Sequence, residues 1–357
     1  MSKESVNITH GGDLDQAVEL FGIPRDQWLD LSTGIAPWSW LVPDIPTEIW
    51  QRLPAVKCPL PQAGADYYGC APEAVLAIPG SQFAIQTLPH LFPENTRVAL
   101  PQLGYFEHRK AWHKAGHSLV DYSDGSLALL ESKIEAGELD VVLVINPNNP
   151  TTTLLGRDRL LHWCELLARR GGCLIVDEAF MDSAQGMSLA TECPRPGLIV
   201  LRSLGKFFGL AGLRLGFVLA ESPVLELLAE RLGPWAVNGP AQYLGRRAMM
   251  DMAWHAEQRQ RISYAMDEQM ALLNSINWDG KFSVLRGPLY CSVAMSLKAI
   301  ERWYNQCGKQ GILTRRFVRC ECDGLLRFGL TKDAEQLERL ENALKLSVVE
   351  QGSSSVE

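Results

Sequence analysis

Short apolar runs that end in turns recur through the middle of the chain. Residues 141–145, 173–176 and 198–201 are wholly apolar, which predicts buried strands. Between the first two runs, residues 157–170 carry apolar side chains at helical spacing, which predicts a helix. Because α/β sheets place ligands just past their strand ends, the polar residues after each run are the candidates for chemistry.

The pattern over the whole chain predicts one large and one smaller domain. We expect an N-terminal arm and part of the small domain in residues 1–70, a large domain over 71–250 and a C-terminal small domain over 251–357. An irregular arm of this kind often lies over a neighbouring subunit. The further predicted helices are 14–21, 83–91, 222–232, 255–276, 297–308 and 334–346, and the further predicted strands are 29–31, 74–79, 97–101, 215–220, 283–286, 289–295, 312–317 and 325–330.

Composition and charge limit the classes of function. The chain has 357 residues, a net charge of −7 and a pI near 5.6, which argue against nucleic acid as the main partner. The start lacks the apolar core of a signal peptide, and no run approaches the roughly 20 apolar residues of a membrane span. Nine scattered cysteines predict reduced thiols, so we expect a cytoplasmic protein. Cys320-Glu321-Cys322 has no second pair at zinc spacing, and we interpret it as structural, with no metal site.

A lysine in a glycine-rich turn follows the strand predicted at 198–201. Ser203 precedes Lys206, and Arg214 follows it. This arrangement suits an imine between the lysine amine and pyridoxal phosphate, with Ser203 and Arg214 as ligands of the phosphate. The alternative is a solvated surface lysine in a loop.

Two earlier segments supply candidate contacts for the same cofactor. Gly80-Ser81-Gln82 lies between a predicted strand and a predicted helix, where unpaired N–H groups favour a phosphate; the alternative is that Ser81 is a plain N-cap. Tyr105 lies just past the strand predicted at 97–101, where its ring could stack on a pyridine ring. The alternative for Tyr105 is packing in the core.

Polar residues also follow the strands predicted at 141–145 and 173–176. Asn149 lies in a proline-containing turn, and we assign it to the phenolic oxygen of the cofactor. Asp177 directly follows an apolar run, where a carboxylate is costly without a partner. A protonated pyridine nitrogen would supply that partner and make the ring an electron sink, whereas the alternative is an aspartate that caps the next turn.

The two ends of the chain contribute candidates for substrate binding. Arg327 lies inside an apolar strand and therefore needs an anion. A substrate carboxylate is one candidate anion, and a structural salt bridge is the alternative. His10 precedes two glycines that allow close backbone approach to a ligand, although a surface or capping histidine is the alternative.

In this order, the phosphate segment, the tyrosine, the Asn-Pro turn, the strand-end aspartate and the lysine turn resemble the fold-type I pyridoxal-phosphate enzymes. The resemblance covers nearly the whole chain. It implies an α/β fold with a mainly parallel seven-stranded sheet in the large domain, a smaller α+β C-terminal domain, and a homodimer with shared active sites. Within the family, the chain is most similar to the branch that contains histidinol-phosphate aminotransferases and threonine-phosphate decarboxylases.

The resemblance also implies a role for each matching residue. The implied catalytic residues are Lys206, Asp177 and Tyr105. The implied cofactor-binding residues are Ser81, Gln82, Tyr105, Asn149, Asp177, Ser203, Lys206 and Arg214. The implied substrate-binding residues are His10, Gly11, Gly34, Asn149, Arg315 and Arg327, with Arg316 in place of Arg315 as a second choice.

Four residues depart from the family pattern. Gly34 and Ala36 stand where asparagines are usual, so two amides are missing from a substrate contact. Thr152 stands where glycine is usual. Phe180 stands where many relatives have tyrosine, although decarboxylases of this branch also use phenylalanine there.

The resemblance implies a carbon–carbon lyase that uses pyridoxal 5'-phosphate. His10-Gly11-Gly12 and residues 177–182 and 233–237 point to decarboxylation of L-threonine O-3-phosphate to (R)-1-amino-2-propanol O-2-phosphate in cobalamin synthesis. The alternative is an aminotransferase that acts on a phosphorylated amino acid such as histidinol phosphate. A non-catalytic regulator of this fold is disfavoured because Lys206 and Asp177 are intact.

Overall fold

The computed structural model describes residues 11–55, 58–184 and 186–352. The described residues of 38–149 and 153–258 form a large unit, and those of 1–37, 150–152 and 259–357 form a small unit. Among the residues described, no helix is long and apolar enough to cross a membrane.

The helices and strands are numbered in chain order. The helices are α1 (Leu14–Phe21), α2 (Thr47–Gln51), α3 (Leu60–Tyr68), α4 (Ser81–Thr87), α5 (Phe106–Lys114), α6 (Leu127–Glu135), α7 (Arg157–Ala168), α8 (Ser222–Leu232), α9 (Gly239–Met250), α10 (Met252–Ser275), α11 (Leu297–Lys309) and α12 (Ala334–Gly352). The strands are β1 (Leu29–Asp30), β2 (Val75–Ile78), β3 (Arg97–Pro101), β4 (Ser118–Tyr122), β5 (Val141–Ile145), β6 (Cys173–Asp177), β7 (Leu198–Ser203), β8 (Gly216–Leu219), β9 (Ser283–Arg286), β10 (Tyr290–Ser296), β11 (Ile312–Leu313), β12 (Arg315–Val318) and β13 (Asp323–Gly329).

The large unit is built on a seven-stranded sheet in the order β2-β8-β7-β6-β5-β3-β4. β8 is antiparallel to both of its neighbours, and the other four pairs are parallel. This confirms the prediction of a mainly parallel seven-stranded sheet. Every residue of β5, β6 and β7 is buried, as expected for central strands of a parallel sheet that is covered on both faces.

Helices α4 and α8 pack on the seven-stranded sheet and form a buried core with it. Apolar side chains of α4 and α8, such as Ile85 and Leu228, pack with sheet residues such as Leu143 and Ile175, and all four are almost fully buried. Close packing of this kind makes the sheet a rigid support. The loops at its edges are therefore held in place by the strands from which they emerge.

The small unit contains two separate sheets. β12, β13, β10 and β9 form an antiparallel sheet in that order, and β1 pairs in parallel with β11. α11 packs on this unit through a buried face that includes Trp303 and Tyr304. This confirms the predicted small α+β domain.

The helix predicted at 83–91 differs in its bounds. α4 begins at Ser81 and ends at Thr87, and a 3-10 turn follows over Leu88–Leu91. Pro89 has no N–H for an α-helical hydrogen bond, which explains the change of helix type. The alternative interpretation of Ser81 as a plain N-cap is wrong, because Gly80 and not Ser81 precedes the first turn.

Candidate active site

One edge of the seven-stranded sheet gathers the predicted cofactor contacts. Six strands run in one direction, so their carboxyl ends meet at one edge, together with the amino end of β8. The predicted contacts that end or follow these strands, or that precede β8, are Ser81, Gln82, Tyr105, Asn149, Asp177, Ser203, Lys206 and Arg214. Segments that are far apart in the sequence therefore share one sheet edge.

Asp177 is the buried carboxylate of this edge. Its Oδ2 lies 2.8 Å from Nε2 of His108, and its Oδ1 accepts a hydrogen bond of 3.0 Å from the N–H of Ala179. The side chains of Asp177 and His108 are only 4% and 3% exposed. His108 supplies the partner that burial of a carboxylate requires, and together the two hydrogen bonds hold Asp177 in one orientation.

His108 was not among the residues predicted to form the site. It lies on the first turn of α5, one helical turn after Tyr105, and the two rings meet edge to face with their centroids 6.3 Å apart. The sequence contains one signal for His108: it follows Tyr105 by three positions, just past a strand. Residues at this spacing share one face of a helix, so His108 could have been expected beside Tyr105.

Tyr105 does not pack in the core. It is 37% exposed. Its hydroxyl donates to Oε1 of Gln82 at 3.2 Å, and Nε2 of Gln82 donates to Glu107 at 3.1 Å. Tyr105 and Gln82, both predicted to bind the cofactor, are thus held next to each other, and the Tyr105 ring is exposed.

Glycines bring the predicted phosphate contacts together. A Cβ atom on Gly80 would lie 2.7 Å from Nη2 of Arg214, so the guanidinium passes directly over this glycine. A Cβ atom on Gly216 would lie 2.7 Å from the backbone nitrogen of Ser81. Arg214 itself has a φ of +52°, an uncommon value for a residue other than glycine. The close approach of these segments leaves a turn with an arginine and exposed N–H groups, which suits a phosphate.

Lys206 lies in the turn between β7 and β8. Its backbone carbonyl accepts a hydrogen bond from Gly209 at 3.2 Å, and Ser203 Oγ accepts one from the N–H of Gly205 at 3.3 Å. Nζ of Lys206 lies 5.5 Å from the centre of the buried Phe180 ring. The lysine amine therefore faces an apolar ring where many relatives would place a phenol.

The Asn-Pro turn after β5 is fixed by its own amides. Asn146 accepts a hydrogen bond from the N–H of Leu155 at 2.8 Å and donates to the carbonyl of Leu155 at 3.2 Å. Asn148 donates to the carbonyl of Leu103 at 2.9 Å. Asn149 is half-buried at the end of this rigid turn. Two asparagines thus shape the turn that carries Asn149, the predicted ligand of the cofactor oxygen.

A buried ion network lies behind the site. Arg202 precedes Ser203, and its guanidinium donates to Glu178 at 2.7 Å and also to Asp182. Tyr67 donates to the same Asp182 oxygen at 3.0 Å. Although burial disfavours its charge, the two carboxylates raise the pKa of Arg202 above its ordinary value. The network joins the strand ends that carry Asp177 and Ser203.

In the small unit, two predicted arginines lie side by side. Arg315 on β12 is directly opposite Arg327 on β13. Both guanidinium groups lie over the ring of Phe317, at 5.5 and 5.3 Å, and Arg327 also donates to the carbonyl of Ser32. Burial lowers the pKa of Arg327 to about 10; Tyr290 opposes this shift and Arg315 adds to it. Two adjacent guanidinium groups favour a ligand that carries two anionic groups.

Arg316 has a different environment from Arg315. Its guanidinium makes two hydrogen bonds to Glu301, at 2.5 and 2.7 Å, and stacks over the ring of Tyr304 at 3.9 Å. These contacts are those of a structural ion pair. They favour Arg315 over Arg316 as the second substrate arginine.

The predicted substrate contacts near the N-terminus are only partly described. Gly11 packs against the turn that follows β1, because a Cβ atom there would lie 2.6 Å from the carbonyl oxygen of Ser32. Gly34 is buried in the same segment. His10 lies outside the described residues.

Comparisons with known proteins agree with this geometry. The sequence model of the aminotransferase class I and II family matches residues 59–344. The chain is 43% identical over 342 residues to a threonine-phosphate decarboxylase of Pseudomonas aeruginosa, over 94% of this chain and 97% of that protein. It is 38% identical over 348 residues to a threonine-phosphate decarboxylase of Sinorhizobium sp., over 95% and 98% of the two chains.

A solved structure shows the same fold. The structure of histidinol-phosphate aminotransferase from Sinorhizobium meliloti in complex with pyridoxal-5'-phosphate has a TM-score of 0.76 and 18% identity to this chain. The similarity covers 97% of this chain and 99% of that one. From the family match over most of its length, the chain belongs to the aminotransferase class I and II family.

Proposed function

We propose that this chain is a decarboxylase of L-threonine O-3-phosphate that uses pyridoxal 5'-phosphate and forms (R)-1-amino-2-propanol O-2-phosphate for cobalamin synthesis. The names of two relatives that match over nearly the full length support this proposal. The observation that carries it is the pairing of Arg315 with Arg327. L-Threonine O-3-phosphate has a carboxylate and a phosphate, whereas histidinol phosphate has no carboxylate. Two adjacent guanidinium groups match the first substrate better.

The residues at the edge of the large sheet fit the cofactor. Lys206 would hold it covalently, and Asp177 would bind the protonated ring nitrogen. Tyr105 would lie against the ring and Asn149 would donate to its phenolic oxygen, while the phosphate would bind Ser81, Gln82, Ser203 and Arg214. The glycine at position 80, over which Arg214 passes, supports this fit. When bound, the cofactor supplies an electron sink for the bond that breaks at Cα.

The two arginines would determine which bond breaks. Arg327 would bind the substrate carboxylate and Arg315 its phosphate. Two anchored anions restrict rotation about the substrate N–Cα bond, and this rotation decides whether Cα loses carbon dioxide or a proton. The arginine pair is therefore the feature that would favour decarboxylation over transamination.

Lys206 would return a proton to Cα after carbon dioxide leaves. Its amine is on a turn held by hydrogen bonds from Gly205 and Gly209. The buried Phe180 ring beside it keeps water away from that side of the amine. A positioned amine next to an apolar ring is a suitable proton donor at a carbon centre.

We further propose a cytoplasmic homodimer with shared active sites. The large unit exposes several apolar side chains, among them Leu41, Trp50 and Leu53, which are 84%, 64% and 69% exposed. Apolar side chains in such numbers support an interface with a second copy. All nine cysteines are free thiols, which supports a reducing compartment.

Arginine variants test the proposed substrate contacts. We expect Arg315→Met and Arg327→Met to raise KM for L-threonine O-3-phosphate roughly tenfold or more, because a hydrogen bond to a charged group contributes about 1.5–3 kcal/mol. The measurement is carbon dioxide release by the protein loaded with pyridoxal 5'-phosphate. Arg316→Met is the matched control and should change KM less than about threefold, because the Arg316 guanidinium binds Glu301 and stacks on Tyr304. A large loss in Arg316→Met with near-normal Arg315→Met would contradict the assignment.

A further inference from the structure

Two exposed thiols lie next to each other in the turn between β12 and β13. Cys320 and Cys322 are the exposed members of the nine free cysteines. Their Sγ atoms are 3.3 Å apart. The proposed decarboxylation uses neither of them, so the pair needs a separate explanation.

Hydrogen bonds at the start of β13 hold this turn in shape. Nε and Nη2 of Arg319 donate to the carboxylate of Asp323 at 3.0 and 2.6 Å. The backbone N–H groups of Arg319 and Cys320 both donate to the carbonyl of Asp323. Sγ of Cys320 lies 3.1 Å from Oδ1 of the same residue. The two thiols are therefore held together by the turn and face solvent.

The two thiols interact directly. The hydrogen bond with Cys320 raises the pKa of Cys322. Arg319 lowers the pKa of Asp323 and binds its carboxylate, which limits repulsion between that carboxylate and a thiolate. After one sulfur has been oxidised, the other lies close enough to attack it.

Of the other seven cysteines, five are buried, and Cys58 and Cys70 are partly buried. Burial raises the pKa of Cys291 and Cys307 to about 12, and that of the half-buried Cys70 to about 11. Thiols with such pKa values are almost fully protonated near neutral pH and react slowly. Selective oxidation is therefore expected at the turn and not in the core.

We propose that Cys320 and Cys322 form a reversible redox site that a hydroperoxide converts to a disulfide. The sulfurs need to approach by about 1.3 Å to reach the S–S bond length of about 2.05 Å, which side-chain rotation in an exposed turn allows. A disulfide between residues so close in sequence closes a small ring, and exposed bonds of this kind are easily reduced again.

The reaction balances with one hydroperoxide for each disulfide. The thiolate of one cysteine attacks one peroxide oxygen, the O–O bond breaks, and the leaving oxygen departs as water or an alcohol after it takes up a proton. The resulting sulfenic acid is attacked by the sulfur of the other cysteine, the S–S bond forms, and the sulfenic oxygen leaves as water with the proton of that second thiol. Both sulfurs are oxidised, and the peroxide is reduced.

The test uses the full-length protein loaded with pyridoxal 5'-phosphate. It is treated with one equivalent of hydrogen peroxide, the remaining thiols are alkylated, and peptides are identified by mass spectrometry. We expect the peptide that contains Cys320 and Cys322 to lose two hydrogen atoms and to escape alkylation, and dithiothreitol to restore both thiols. The thiols of Cys58 and Cys70 should oxidise at least about ten times more slowly than those of Cys320 and Cys322.

A single variant traps the intermediate. Cys322→Ser should stop at a sulfenic acid on Cys320 that dimedone traps, and Cys58→Ser should form the disulfide like the wild type. The proposal is overturned if Cys320 and Cys322 stay alkylatable while other thiols oxidise, if they pass to sulfinic acids with no disulfide, or if they link two chains. These readouts do not depend on decarboxylase activity.

Discussion

Thr152 has a backbone conformation that favours glycine. Its φ is +66°, at the position where glycine is usual in the family. A left-handed conformation costs a residue with a Cβ atom roughly 1–2 kcal/mol, and β-branching increases the crowding. We expect Thr152→Gly to raise the melting temperature of the cofactor-free protein by about 2 °C, because relief of strain exceeds the entropy cost of glycine.

The neighbouring Thr151 is the matched control for this prediction. It is not among the described residues with a positive φ, so glycine there brings entropy cost without relief of strain. Thr151→Gly should therefore lower the melting temperature. Equal decreases in both variants would show that the conformation of Thr152 is not strained.

His108 should control how firmly the cofactor is bound. It holds the Asp177 carboxylate at 2.8 Å. Loss of a hydrogen bond to a charged group costs about 1.5–3 kcal/mol, so His108→Phe should weaken binding of pyridoxal 5'-phosphate roughly tenfold or more. The measurement is a titration of the visible absorbance of the bound cofactor.

A second variant separates the hydrogen bond from simple packing. His108→Gln keeps a donor that can reach Asp177 and should recover most of the affinity, with little change in melting temperature between the two variants. If the glutamine variant binds as poorly as the phenylalanine variant, the hydrogen bond is not what fixes the cofactor.

Some residues of the site could be predicted from the sequence and others could not. Asp177 could be predicted because it directly follows a wholly apolar run, where a carboxylate needs a partner, and Lys206 because it lies in a glycine-rich turn after such a run. His108 and Arg202 could not, because their roles depend on partners from distant parts of the chain. Periodicity carries no information about such contacts.

At the scale of elements, strands and turns approach each other closely around Gly80-Ser81-Gln82, the segment predicted to bind the phosphate. A Cβ atom on Gly216 would meet backbone atoms of Ser81 and Arg202 at 2.7 and 2.8 Å. Backbone atoms cannot move aside easily, so Gly216→Ala should destabilise the protein by about 1–3 kcal/mol and weaken cofactor binding. Melting temperature and the absorbance titration measure the two effects.

Gly212 in the same turn is the matched control. A Cβ atom there would meet nothing within 4 Å. Gly212→Ala should therefore change stability by less than about 0.5 kcal/mol and leave cofactor binding unchanged. Similar losses in both variants would show that flexibility of the turn, and not the close approach, accounts for the effect.

Some elements were predictable and others were not. β5, β6 and β7 are buried along their whole length, so their apolar runs were unambiguous. β4 is one of the two edge strands and only its last residue is buried, and the short helix α5 carries few apolar residues, so neither has a strong pattern. These two elements therefore escaped prediction, whereas β2 at the other edge was predicted.

At the scale of the whole molecule, pairing between distant segments is the part that the sequence does not indicate. β1 pairs with β11, although the two strands lie near opposite ends of the chain and have two residues each. Strands so short have no period to detect. The fold class could be inferred only from the resemblance of the ordered motifs, and family membership now supports it.

The proposed chemistry also concerns the molecule as a whole. Asp177 and Lys206 serve any reaction in which a cofactor accepts electrons from Cα, so they do not distinguish a decarboxylase from an aminotransferase. In our proposal, the paired guanidinium groups of Arg315 and Arg327 would bind the carboxylate and the phosphate and would restrict rotation about the substrate N–Cα bond, which decides between the two reactions.

The most direct test is to follow carboxyl-labelled L-threonine O-3-phosphate through the reaction with the cofactor-loaded protein, without any added 2-oxo acid. We predict that all of the label leaves as carbon dioxide and that one (R)-1-amino-2-propanol O-2-phosphate forms for each substrate consumed, with no turnover in Lys206→Ala. Retention of the label in a 2-oxo acid, with turnover that requires an amino-group acceptor, would contradict the account.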